Sequence, residues 1–176
     1  DIDLLKSIND STKCVVQMTL TTYDDNLCSI LEPNVCNTSE RFKALKELNE
    51  AGIPTVVWLC PILPFINDTK ENILGILDYC SRAKVKGVIC FGMGVTLREG
   101  NREYFYNKLD EYFPGMKEQY ILRYCDAYML ESPISNELMQ IFHSTCEREG
   151  IMHDNNAIFR YLNKFETNGS KQISWF

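Results

Sequence analysis

The chain has 176 residues, of which 45% are hydrophobic, and carries a net charge of −6. This length and composition suit one globular domain with a sizeable core. The negative charge argues against a broad electrostatic surface for nucleic acid, without excluding a local basic patch. No apolar run approaches the roughly 18 to 20 residues of a membrane span, and the N-terminus has no signal-peptide pattern. We therefore expect a cytoplasmic protein.

The first half of the chain predicts strands and helices in alternation. Residues 1–6 read as part of a helix that begins upstream, and no methionine precedes them, so we expect a fragment of a longer protein. Three short runs that are apolar and rich in β-branched or aromatic residues are typical of parallel strands covered by helices. These predicted strands lie at residues 14–20, 55–60 and 87–92.

Helices are predicted between and after the strands, at residues 40–51, 69–82, 101–113, 116–125, 133–149 and 155–165. Asp68 and Glu71 form a capping box for the second of them, and Ser132 with Pro133 begins the fifth. The order β-α-β-α-β followed by helices predicts an α/β fold with a parallel sheet. We expect one domain over residues 1–166 and a flexible tail over residues 167–176.

Eight cysteines are a high count for this length, but no C-x-x-C pair occurs. Because the chain is long and shows no sign of secretion, we expect reduced and mostly buried thiols. The alternative is a metal site at His143, Cys146 and His153, since the first two lie one helical turn apart. Zinc sites usually have four ligands at tighter spacings, so the sequence favours buried thiols.

Polar residues share one face of the first predicted strand, where Gln17, Thr19 and Thr21 alternate with apolar neighbours. A polar face on a parallel strand is costly unless it lines a site or a wet lumen, which favours the wall of a barrel. Parallel α/β enzymes place their chemistry at the carboxyl ends of the strands. The second strand here ends at Pro61 and Pro64, which we expect to hold a stiff apolar wall beside a ligand.

The segments VVQMTLTTYDDNL, SERFKALKELNEAGIPTVVWLCPILPFIND, GVICFGMG and LREGNREYF follow this pattern of strands and strand ends. Together they resemble radical S-adenosylmethionine enzymes, and within these the group related to spore photoproduct lyase that is often labelled DNA repair photolyase. The resemblance covers most of residues 1–165. Its most specific pieces are the two threonines followed by Glu32-Pro33, the Ala-Gly-Ile-Pro of residues 51–54, and the Pro-x-x-Pro-x-x-Asn-Asp of residues 61–68.

The resemblance implies a partial TIM-like (β/α)6 barrel, in which the three strands here would be the fourth, fifth and sixth. Such enzymes hold a [4Fe–4S] cluster on a C-x-x-x-C-x-x-C motif and cleave S-adenosylmethionine to start radical chemistry, in one group for the repair of DNA photoproducts. This sequence contains no such motif. The resemblance therefore implies a half-barrel that does not ligate the cluster, is inactive alone, and lacks an N-terminal half.

The resemblance also places part of an S-adenosylmethionine site on this chain. The implied cofactor-binding residues are Thr19, Thr21, Thr22, Pro61, Gly92 and Met93. Thr21 and Thr22 are also open to a structural role in a turn before the next helix. Glu32 and Arg41 are expected to pair, either as a structural salt bridge or near the carboxylate of the cofactor. No catalytic residue and no metal ligand is assigned.

Two further expectations concern partners and function. A half-barrel exposes a strand edge and a lumen face, so we expect a second copy of the chain to cover them. A non-catalytic binding or oligomerisation module is the alternative function. The substrate stays open, since the resembling enzymes act on DNA lesions, peptides and small metabolites. The aromatic residues of the helix at 101–113 could stack bases, although their helical spacing is typical of a core.

Overall fold

The computed structural model describes residues 1–164 as a mixed α/β fold. The helices of this part are α1 (Ile2–Ser11), α2 (Asp25–Leu31), α3 (Thr38–Glu50), α4 (Lys70–Arg82), α5 (Asn101–Tyr112), α6 (Met116–Tyr124), α7 (Ser135–Glu149) and α8 (Asn155–Asn163). Its strands are β1 (Val16–Thr19), β2 (Thr55–Trp58), β3 (Gly87–Ile89), β4 (Gly94–Thr96) and β5 (Met129–Glu131). The predicted tail, residues 167–176, lies outside the described residues.

The three predicted strands form one parallel sheet in the order β1-β2-β3. Gln17 pairs with Val56 and Val56 with Gly87, so strands that are consecutive in the chain are also neighbours in the sheet. A parallel bridge between Gly87 and Met152 extends the sheet beyond β3. The prediction of an α/β fold with a parallel sheet is therefore confirmed.

One face of this sheet is covered by α3, α4 and α7. Val57 of β2 and Val88 of β3 pack into the main core with Leu45 of α3, Ile76 of α4 and Phe142 of α7, and all five are fully buried. Burying a side chain of this size stabilises the fold by about 1.5–3 kcal/mol relative to leaving it exposed. Helices α3 and α4, which precede β2 and β3 in the chain, thus lie on the same side of the sheet.

The opposite face of the sheet is only partly covered. Ile158 of α8 packs against Val56 and Ile89 on this side. Gln17 of β1 is exposed there, and its Oε1 accepts a hydrogen bond of 2.9 Å from the indole N–H of Trp58. The polar face that the sequence indicates for β1 therefore lies on the open side of the sheet.

After β3 the chain forms a two-stranded antiparallel sheet that sequence analysis misses. Leu130 of β5 joins Leu97, Leu109 and Tyr120 in a second buried cluster, which α5 and α6 complete. Glycine has a low β-propensity, so the short segment that begins at Gly94 is not predicted as a strand. A Cβ atom on Gly94 would lie 2.5 Å from the carbonyl oxygen of Leu130, so the close approach of the two strands requires glycine here.

Two predicted helix starts are wrong. Helix α4 is capped by Thr69, whose hydroxyl accepts a hydrogen bond of 3.1 Å from the backbone N–H of Asn72. Helix α7 begins three residues after Ser132. Asp68 and Ser132 are both buried and are bonded to each other, the hydroxyl donating to the carboxylate at 2.6 Å. This tertiary contact takes both side chains away from the capping positions that their local sequence favours.

Candidate functional site

The carboxyl ends of β2 and β3 form an open groove of about 420 Å³ together with β4 and β5. Pro61, Gly92 and Met93, three of the predicted cofactor-binding residues, line it together. The backbone of Gly92 has φ 129°, a conformation that favours glycine, and the carbonyl of Met93 accepts a hydrogen bond of 2.7 Å from the N–H of Ser132. The peptide bond before Pro61 is cis.

The walls of the groove are mainly apolar and carry a few polar groups. Phe91 and Met129 contribute the largest exposed apolar surfaces, with 65% and 64% of their areas accessible. Phe91 also rests against Trp58, with 6.0 Å between the ring centroids. Thr96 and Glu131 add a hydroxyl and a carboxylate to the same lining. An apolar cleft with few polar groups is the usual form of a small-molecule site.

Two other predicted site residues, Thr21 and Thr22, do not line the groove. Both are buried, and both hydroxyls are engaged within the protein. The Thr21 hydroxyl donates to Oε1 of Glu32 at 2.9 Å, and the Thr22 hydroxyl accepts from Nδ2 of Asn67 at 3.1 Å. Of the two roles that the sequence leaves open for these threonines, these contacts favour the structural one.

The expected pair of Glu32 and Arg41 is present, with 2.6 Å between Oε2 and Nη2. Nη1 of Arg41 also donates to the carbonyl oxygen of Thr19 at 3.1 Å, which ties α3 to the end of β1. Burial opposes the charge of Arg41, but hydrogen bonds with Glu32 and Cys36 outweigh it and raise the pKa of the guanidinium. Thr19, the sixth predicted site residue, has an exposed side chain and lies outside the groove lining.

Two buried amides connect the loop after β1 to residues 60–68, which we call the proline loop. Nδ2 of Asn67 donates to the carbonyl of Thr21 at 3.0 Å, and its Oδ1 accepts from the N–H of Leu63 at 2.6 Å. Nδ2 of Asn72 donates to the carbonyls of Thr21 and Asn67, each at 2.8 Å. The sequence pattern predicts no such role for these amides; the available signal is their position at the end of an apolar loop and in the first turn of the helix that follows.

Asp68 connects the proline loop to the segment after β5. Its side chain is 7% exposed and accepts the hydrogen bond from the Ser132 hydroxyl. Burial raises the pKa of Asp68 above its ordinary value, although the hydrogen bond from Ser132 acts in the opposite direction. This carboxyl therefore lies outside the groove lining and holds the proline loop against the segment after β5.

A second groove, of about 390 Å³, lies between α2, α5 and the proline loop. Tyr104 and Tyr112 line it and are 63% and 45% exposed, and the ammonium of Lys108 lies 5.9 and 5.4 Å from their ring centroids. The aromatic residues Phe105, Tyr106 and Phe113 pack against the second buried cluster. The base-stacking hypothesis therefore rests on the two exposed tyrosines.

All eight cysteines are free thiols, but only four of them, Cys28, Cys80, Cys90 and Cys146, are buried, so the prediction of mostly buried thiols is half right. Burial raises the pKa of Cys90 to about 11 and that of Cys146 to about 12. Because Cys146 is buried in the main core, it cannot join His143 and His153 in the metal site that the sequence left as an alternative. Within residues 1–164 the thiols are dispersed, and no three His, Cys, Asp or Glu side chains, as they stand, surround a common point. This donor set does not fit a [4Fe–4S] cluster.

No family model matches the sequence, and no solved structure matches it. The chain is similar to an uncharacterised protein, ORF301, of Acidianus two-tailed virus, with 29% identity over 114 residues. The aligned part is 63% of this chain and 36% of that protein, so the chain spans about a third of the curated relative that it matches. In residues 1–164 no helix combines the length and the apolar character needed to cross a membrane.

Proposed function

We propose that this chain is the C-terminal part of a radical S-adenosylmethionine enzyme and carries half of the cofactor site. The main support is the groove itself. Pro61, Gly92 and Met93, which the family resemblance assigns to the cofactor, lie together at the carboxyl ends of neighbouring parallel strands. Parallel α/β enzymes bind their ligands at this end.

The arrangement of the sheet agrees with a TIM-like (β/α)6 half-barrel. The strands follow chain order, and α3 and α4 cover the same face. One half of a doubly wound sheet shares this arrangement, so the polar open face of β1 is the feature that favours a barrel. On this proposal the open face with Gln17, Thr19 and Trp58 borders the lumen. Upstream strands of the longer protein would then pair with the free edge of β1.

The groove fits the adenosyl part of the cofactor. Phe91 and Met129 offer apolar surfaces for a planar base, and Thr96 and Glu131 offer a hydroxyl and a carboxylate for ribose or amine hydrogen bonds. When bound and cleaved at a cluster, S-adenosylmethionine supplies radical chemistry; the cluster belongs to the missing half on this proposal. The residues of this chain bind and orient the cofactor. Thr21 and Thr22 act through the loop that they support.

Calorimetric titration of the chain with S-adenosylmethionine tests this proposal. We expect saturable binding that Phe91→Ala weakens, since it removes an exposed apolar wall. Leu122→Ala is the matched control, because Leu122 is 86% exposed on α6 outside the groove. Circular dichroism establishes that both variants are folded. A folded chain that binds no cofactor at millimolar concentration, or a Phe91→Ala variant that binds as tightly as the parent, contradicts the half-site.

A non-catalytic assembly module is the second candidate, and α1 is the observation that favours it. This helix buries none of its residues, and its Leu4 and Ile8 are 65% and 40% exposed. On this alternative a second copy covers α1 and the β1 edge, and Leu4→Glu shifts the mass measured by light scattering from dimer to monomer. A parent chain that is monomeric at high concentration contradicts the dimer.

On the proposal of a radical S-adenosylmethionine enzyme, the acidic net charge disfavours a DNA substrate for this part of the enzyme.

A further inference from the structure

Three side chains with metal-binding groups lie close together where α7 ends, away from the proposed cofactor groove. His143 and Glu147 are four residues apart on α7 and therefore share one face of the helix. The rings of His143 and His153 are 5.2 Å apart between centroids. Nε2 of His153 is 4.0 Å from Oε1 of Glu147. The proposed function uses none of these residues.

His153 is oriented as a metal-binding imidazole usually is. Its Nδ1 lies 3.1 Å from the carbonyl oxygen of Ile151, to which an N–H at Nδ1 donates. This tautomer leaves the lone pair on Nε2, towards the Glu147 carboxylate. A divalent cation between Nε2 and the carboxylate would bind both groups. Histidine ligands of metal ions typically donate their other N–H to a backbone carbonyl in the same manner.

We infer that His143, Glu147 and His153 form a surface site for a divalent transition metal ion, with zinc the best match. Two histidines, a carboxylate and water are a known tetrahedral zinc set, with bonds of about 2.0–2.2 Å. Two ligand atoms of such a tetrahedron lie about 3.4 Å apart. The 4.0 Å between Nε2 and Oε1 must therefore shorten by roughly 0.6 Å.

Rotation of exposed side chains closes this site. As the side chains stand, no trio in the described part of the chain surrounds an ion. The side chain of Glu147 is 72% exposed, and His143 is also exposed, so both are free to turn towards His153. Phe142 lies beneath the two imidazoles, 5.2 and 6.0 Å from their centroids, and limits their movement to the surface side.

A bound ion would connect α7 to the backbone segment that extends the sheet. His153 follows Met152, which bridges to Gly87 of β3. An ion held by α7 and His153 therefore fastens the last turn of the helix to the sheet edge. Because the ion would bind the folded chain and not the unfolded one, it would raise the unfolding temperature.

Titration with zinc chloride tests the site on the whole chain. The exposed thiols of Cys36 and Cys125 compete for zinc, so the parent for this experiment carries Cys36→Ser and Cys125→Ser. We expect saturable binding of one ion per chain and a rise in unfolding temperature. His143→Ala should weaken the affinity at least about tenfold and remove the thermal shift. Gln140→Ala, a change at another exposed position of α7, should alter neither quantity.

His143 is exposed, so its replacement leaves the fold intact, which circular dichroism verifies. Cobalt chloride adds a spectroscopic reading, because nitrogen and oxygen ligands give visible absorption without a thiolate band. Zinc affinity that His143→Ala leaves unchanged overturns the proposal. Absence of saturable binding up to about 1 mM zinc, or a cobalt spectrum with thiolate character, does the same.

Discussion

Replacing Asn67 by alanine tests whether a buried amide holds the proline loop in place. Asn67 is 2% exposed, and its side chain makes three hydrogen bonds, with the N–H of Leu63, the carbonyl of Thr21 and the hydroxyl of Thr22. The Thr21 carbonyl keeps its bond from Asn72 in the variant. The N–H of Leu63 has no second partner among the described residues and becomes unpaired.

The expected cost follows from these three bonds. An N–H left without a partner costs about 1–3 kcal/mol where it is buried, and the Leu63 N–H is partly buried. Each bond lost from a group that keeps other contacts costs about 0.5–1.5 kcal/mol. We therefore expect Asn67→Ala to lower the free energy of unfolding by about 2–6 kcal/mol, a large part of the 5–15 kcal/mol typical of a domain. Urea unfolding followed by circular dichroism measures this. Asn156→Ala, at an exposed position of α8, should change it by less than about 0.5 kcal/mol.

Asn67→Asp separates the donor role of the amide from its acceptor role. The aspartate keeps an acceptor for the Leu63 N–H but directs a carboxylate oxygen towards the Thr21 carbonyl, where the amide donates. At neutral pH this variant should be at least as unstable as Asn67→Ala. It should recover stability as the pH falls and the carboxyl group gains a proton to donate. A loss below about 1 kcal/mol in both variants would refute the reasoning.

Three further changes test buried contacts within the fold. Thr55 has the one buried side-chain oxygen without a hydrogen-bond partner in residues 1–164. Thr55→Val should therefore raise the free energy of unfolding, measured in urea, by about 1 kcal/mol, and a decrease contradicts this. The pKa of Asp68 is raised above 3.8 in the folded state, so its contribution is fully present at low pH and is lost as the pH rises through the folded pKa. Asp68→Asn should therefore flatten the stability profile from pH 4 upwards, and an unchanged profile counts against this assignment. Gly94→Ala places a methyl group 2.5 Å from the Leu130 carbonyl and should cost about 1–3 kcal/mol, measured by the same unfolding assay, with a neutral effect as the contrary result.

The sheet and most helices could be predicted because their signals are local. Short apolar runs give β1, β2 and β3, and the glycine after α7 ends that helix in the left-handed conformation. The strand at residues 87–92 ends earlier than predicted, because the backbone N–H and carbonyl of Cys90 are bonded to the side chain of Asn155 instead of to a neighbouring strand. Strands β4 and β5 have three residues each and form only by pairing with each other, so no local sequence pattern predicts them. Helix α2 is also short for a helix, with seven residues, and the sequence does not predict it.

The candidate site could be predicted in part, for a similar reason. Pro61, Gly92 and Met93 follow directly from strand ends, and parallel strands bring such ends together without further information. What the hydroxyls of Thr21 and Thr22 contact depends on Glu32 and Asn67, which stand eleven and forty-five residues further along the chain. Only the tertiary structure decides whether a strand-end hydroxyl faces a ligand or a buried partner.

Substitution of a threonine behind the groove and substitution of an apolar residue in its wall should have different effects on stability and affinity. Thr21→Val removes a hydrogen bond to a carboxylate, worth about 1.5–3 kcal/mol, and loosens the loop that the buried amides hold. It should lower stability and cofactor affinity together. Phe91 is 65% exposed, so Phe91→Ala should lower affinity while leaving stability within about 0.5 kcal/mol of the parent. Thermal unfolding and calorimetry on the two variants separate these effects. Affinity lost in Thr21→Val without any loss of stability would mean that the hydroxyl meets the ligand directly, and that the bond to Glu32 is exchanged on binding.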